Sequence, residues 1–76
     1  MQQHEFRLNS EYVELNQLLK LTGVSESGGA GKALVAEGSV SVDGQIELRK
    51  TCKIRAGQVV SFKDVRINVL APEPLS

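Results

Sequence analysis

The stretch Ser27–Gly44, SGGAGKALVAEGSVSVDG, constrains this chain more than any other, because eighteen residues hold a helix, its stop and a chain reversal. Ser27 can cap a helix by accepting a bond from a free backbone N–H of the first turn. Gly31, Leu34 and Val35 recur at helical spacing and form one buried stripe. A glycine on that stripe predicts a neighbouring helix too close for a larger side chain. Gly38 supplies the left-handed residue that ends a helix without steric penalty. Val40 and Val42 alternate with Ser39 and Ser41, the period of a half-buried strand. Asp43-Gly44 then tolerates the positive φ that a type I′ hairpin requires at both positions.

The flanking segments extend this unit. Met1 to His4 read as a frayed start, and Phe6 and Leu8, alternating with Glu5 and Arg7, as a short edge strand. Ser10 is placed to cap a first helix, with Glu11 and Glu14 near its positive end and Tyr12, Leu15, Leu18 and Leu19 on its apolar face. Gly23 ends it, Val24 covers the corner, and a link of about four residues makes the two helices neighbours. Past Gly44, Ile46 and Leu48 continue the buried alternation. Ala56-Gly57 is a turn, and Val59–Phe62 and Val65–Val69 form a second hairpin around Lys63-Asp64. Ala71–Ser76, with two prolines, reads as an exposed tail. The expected fold is α+β: one domain over residues 1–76 with its core in 6–70, two packed helices against a small, mainly antiparallel sheet. The expected core is Leu15, Leu18, Leu34, Val35, Val40, Val42 and Ile46.

Seventy-six residues bury only about 60% of their unfolded surface and leave little room for a deep catalytic pocket, which favours a binding module over an enzyme. GGAGK invites comparison with a phosphate-binding loop, but that motif needs a glycine where Glu26 stands and Ser or Thr where Ala33 stands. His4 has no second ligand beside it, so no metal is expected, and no cofactor. Cys52, the one cysteine, alternates with apolar Leu48 and Ile54 and reads as a small buried hydrophobe. With no internal disulfide, no leader-like run and no stretch near the ~20 apolar residues of a membrane span, the expected setting is the cytoplasm.

The net charge is zero, yet the halves differ. Residues 1–47 carry three cations against seven anions, a net −4, while residues 48–76 carry six against two, a net +4. Arg49, Lys50, Lys53 and Arg55 make four of the seven residues from 49 to 55 basic. If that run is extended, Arg49, Thr51, Lys53 and Arg55 share one face and Lys50, Cys52 and Ile54 the other. Such a face either keeps a sheet edge from aggregating or contacts phosphates. The aromatics are Phe6, Tyr12 and Phe62, two of them core-like, so no platform for stacking unpaired bases is expected.

The ordered set Leu15-Asn16-Gln17-Leu18-Leu19, Gly23, Ser27, Leu34-Val35, Gly38, Val40, Val42, Asp43-Gly44, Gly57 and Val59-Val60 resembles the S-four RNA-binding domain, an αL-motif fold. The match covers residues 14–62 and is nearest to small stand-alone bacterial members, through Glu37-Gly38, Arg49-Lys50 and Cys52-Lys53-Ile54. The resemblance implies an RNA surface on the outer face of the second helix and the adjoining hairpin. On it, Lys32, Arg49, Lys50, Lys53 and Arg55 would contact phosphates of structured RNA, of ribosomal or transfer type. Gly28 replaces an arginine common in the family, Gly31 an alanine and Gln58 an aspartate. The expected partner is therefore RNA, with no membrane and no small-molecule substrate, and the expected state a monomer. A protein-interaction module that has kept the fold without the RNA surface is the alternative.

Overall fold

The computed structural model describes residues 2–73. Its helices are α1 (Leu15–Leu21) and α2 (Gly28–Ala36). Strands β1 (Gln2–Arg7), β7 (Val65–Leu70), β6 (Val59–Phe62), β3 (Val40–Val42) and β4 (Gln45–Ile46) lie side by side in that order in one sheet. Strands β2 (Val13–Glu14) and β5 (Lys53–Ile54) form a separate antiparallel ladder. The pairing of β1 with β7 is parallel, and the other pairs are antiparallel. Leu15, Leu18 and Leu19 of α1, Val35 of α2, and Val40, Ile54 and Val60 are fully buried together. Each such side chain contributes roughly 2 kcal/mol of apolar burial.

The central stretch folds as its residues dictate. Ser27 Oγ accepts the Ala30 N–H at 3.0 Å and so caps α2. Gly31 lies against α1: a Cβ there would stand 2.8 Å from the Asn16 carbonyl oxygen. Gly38 ends α2 with φ near +81°. Asp43 and Gly44 both take positive φ, and Val42 faces Gln45 across a two-residue loop. Lys63-Asp64 reverses the chain in the same number of residues, since Phe62 pairs with Val65.

Several expectations are corrected. Residues 2–4 are not frayed but lie within β1. Helix α1 starts at Leu15 rather than after Ser10, whose hydroxyl instead donates to the Tyr12 carbonyl at 3.0 Å. Tyr12 is therefore off the helix and 37% exposed. Leu34 is only half-buried, packed against the core rather than inside it. Ile46 and Leu48 are 64% and 61% exposed. The cause is parity: a two-residue loop pairs even positions before it with odd positions after it. Ile46 thus faces Ser41 and joins its outward side. Glu47, whose N–H bonds the Val40 carbonyl at 3.0 Å, turns toward the core instead. Residues 71–73 are exposed, and positions 74–76 of the expected tail lie outside the described residues.

Candidate nucleic-acid interface

The basic run is not one extended strand. The Cys52 N–H donates to the Arg49 carbonyl at 3.2 Å and closes a turn around Lys50 and Thr51. That turn starts α1. The N-cap residue, Glu14, makes no side-chain cap, and the Leu15 and Asn16 N–H groups go instead to the carbonyls of Cys52 (2.9 Å) and Lys50 (3.1 Å). Two donors that a helix start leaves unpaired are thereby satisfied from 34 or more positions along the chain. With its backbone pinned inward, the turn leaves Arg49, Lys50 and Thr51 exposed.

Arg49 opens this turn and lines one shallow hollow with Thr51, Cys52 and Lys53. Its guanidinium forks onto Glu47, Nε to Oε2 at 3.0 Å and Nη2 to Oε1 at 2.9 Å, and its own N–H donates to Oε2 at 3.0 Å. The guanidinium first and the N–H second hold the Glu47 carboxyl down at about 2, and the carboxylate in turn raises Arg49. The Glu47 side chain is 17% exposed and that of Arg49 76%, so the fork spans from sheltered to open ground. Burial, and then the Glu47 carboxylate, push the Cys52 thiol up. Cys52 is accordingly a packed thiol and not a ready nucleophile.

Lys53 and Arg55 remain on one face. In the β2–β5 ladder Val13 pairs with Ile54 and Glu14 with Lys53. Ile54 is buried, so Lys53 and its alternation partner Arg55 point outward with Glu14 and Tyr12. The Lys53 ammonium lies 5.0 Å and the Arg55 guanidinium 5.7 Å from the centre of the Tyr12 ring. Arg55 also approaches Glu11 at 4.0 Å, so Glu11 serves a cation across the ladder rather than the helix dipole. Exposed pairs of this kind contribute little to stability.

Lys32 is exposed on α2, one residue beyond Gly31. Asn16 connects the two basic regions through its backbone: its N–H is held by Lys50, and its carbonyl lies against Gly31. The Gln17 side-chain amide stands 3.1 Å from where a Cβ on Gly28 would be, over the helix start where the arginine is missing. Among the described residues Lys32, Lys50 and Lys53 form no ion pair. Sequence reasoning missed Tyr12 and Glu47. Counting parity across the Asp43-Gly44 loop would have found Glu47; Tyr12 carries no local signal, because the ladder that exposes it joins residues 13 and 54.

A family model described as the S4 domain matches residues 6–70. The chain belongs to the S4 domain family. A member from Escherichia coli (strain K12), YbcJ, described as a candidate RNA-binding protein, is 57% identical over 60 residues, which span 79% of this chain and 86% of that one. An uncharacterised Shigella flexneri protein also named YbcJ matches to the same extent. The solution structure of E. coli YbcJ, reported to reveal an αL motif involved in RNA binding, superposes with a TM-score of 0.69 at 53% identity, covering 88% of this chain and 86% of that one. The S4 and αL-motif expectation is thereby met. Among the described residues no helix is long and apolar enough to cross a membrane.

Proposed function

We propose that this chain is a non-enzymatic RNA-binding module, active as a cytoplasmic monomer, that grips structured RNA of ribosomal or transfer type by its phosphates. Lys32, Arg49, Lys50, Lys53 and Arg55 supply the contacts. The observation that carries the reading is the basic turn itself: its carbonyls are committed to the start of α1, which leaves the Lys50 side chain and the exposed, Glu47-braced Arg49 guanidinium outside to face a polyanion. The names given to its S4 relatives support the same partner. At the start of α2, the Gly28 and Gly29 N–H groups have no backbone acceptor among the described residues and add donors for a phosphate oxygen.

Three to five phosphate contacts imply that log affinity falls against log salt with a slope near −3 to −5, taking roughly −0.9 per phosphate. Replacing Arg49 and Lys53 together by alanine should flatten the slope by about two and leave the melting temperature nearly unchanged. Titration of a structured RNA at several salt concentrations, with parent and double variant, makes the test. Binding indifferent to both salt and the double change would remove the RNA surface. The assembly-module reading would then stand, supported by exposed Ile46 and Leu48, which meet at Gly38 on the opposite face of the β3–β4 hairpin from Val40 and Val42.

A further inference from the structure

We infer that Tyr12 is a stacking platform for one unpaired nucleobase, so that the protein distinguishes a loop or bulge from continuous duplex. The inference rests on the RNA-binding reading and adds to it a residue that contacts a base rather than a phosphate. Phe6 and Phe62 are packed against the core, whereas Tyr12 stands on the outward face of the β2–β5 ladder. Its position is fixed from three sides. Val13 beside it pairs with buried Ile54, its carbonyl is held by the Ser10 hydroxyl at 3.0 Å, and α1 begins three residues later. The backbone that carries the ring is thus already ordered and loses little freedom when a base settles there.

The two cations complete the arrangement. Lys53 at 5.0 Å and Arg55 at 5.7 Å from the ring centre combine an aromatic face with positive charge on one small surface, the pairing that single-stranded segments select. A cation over an exposed tyrosine is weakly held, and a stacked base more strongly. An incoming nucleotide can therefore displace either cation from the ring, and the displaced cation can turn to the phosphates on each side. Duplex RNA, its bases already stacked, offers nothing to the ring and meets only the charges.

The test uses two RNA hairpins of identical length and charge, one with a loop of adenosines and one with the same loop made abasic. Tyr12 is the one tyrosine in a chain without tryptophan, so intrinsic fluorescence reports on this ring alone. The parent should bind the adenosine loop about five- to tenfold more tightly than the abasic loop, with quenching of its fluorescence by the adenosine loop only. Tyr12→Leu should bring the ratio to one without changing the salt slope, and Tyr12→Phe should restore it. A ratio of one in the parent, or a ratio that survives Tyr12→Leu, overturns the stacking role. If salt-sensitive binding persists while the ratio is one, the stacking inference alone fails. If neither hairpin binds, the RNA-binding reading fails with it.

Discussion

The two helices begin in opposite ways. Helix α2 is started by its own neighbour, Ser27, whose hydroxyl oxygen takes the N–H three residues ahead. Helix α1 is started by a distant turn, whose Lys50 and Cys52 carbonyls take its first two N–H groups. The first device is local and survives on its own. The second exists only once the chain has folded back, and it couples the formation of a helix to the placement of a basic surface. A segment that displays cations at the edge of a domain needs backbone anchorage, and the unpaired donors of α1 provide it.

The largest effect should come from forcing the helices apart. Gly31→Val would put a branched side chain where even a Cβ meets the Asn16 backbone at 2.8 Å, and should cost at least about 2 kcal/mol or prevent folding. A variant as resistant to urea as the parent would show that α1 and α2 do not meet closely at this residue. Ser27→Ala should cost about 1 kcal/mol by chemical denaturation, the usual worth of a side-chain cap. Glu14→Ser would install the same kind of cap on α1, since the distant turn serves the Leu15 and Asn16 N–H groups and leaves the Gln17 N–H, three residues ahead, for the new hydroxyl. It should gain up to about 1 kcal/mol. A variant no more stable than the parent would mean that the Gln17 N–H is not open to a local cap.

The smallest effect is electrostatic. Glu47 fixes Arg49 at the mouth of the same turn, and its carboxyl, held at about 2, stays ionised far into acid. Because the folded state lowers this group below its ordinary 4.5, its contribution is complete above 4.5 and disappears as the pH falls through about 2. Glu47→Gln should therefore lower the melting temperature slightly at pH 7, and the gap from the parent should close between pH 4.5 and 2. A gap independent of pH would assign the loss to packing instead.

What could be read from the residues follows the same division. The α2 cap, Gly31, Gly38 and both two-residue reversals depend on neighbours in sequence, and all are legible there. Gly31 even foretold the approach of α1. The start of α1 was misplaced at Ser10, because a serine followed by acids looks like a local cap while the true acceptors lie at Lys50 and Cys52. Whether the run 49–55 is extended is left open by its residues, and the turn within it, which contains neither glycine nor proline, is held by Glu47 and by the unpaired donors of α1. Ile46 was assigned to the core by an even-number count that the hairpin inverts. The five cations proposed for RNA contact rest on composition and family likeness. The Arg49–Glu47 fork joins residues two apart and is within reach of a parity count, whereas the placing of Lys53 and Arg55 over the Tyr12 ring depends on a partner about forty residues away that no spacing rule reaches.

The parallel seam between β1 and β7 has a kinetic meaning. Gln2 pairs with Val65 and Arg7 with Leu70, so each rung closes a loop of more than sixty residues. Loop-closure entropy grows slowly with length, but all of it precedes the first favourable contact at this seam. Residues 2–7 therefore have no strand to pair with until residues 65–70 are in place. Within the native state the same seam should open earliest, since β1 has a neighbour on one side only. Amide hydrogen exchange along β1 should outpace that of β6, which is flanked on both sides by β3 and β7.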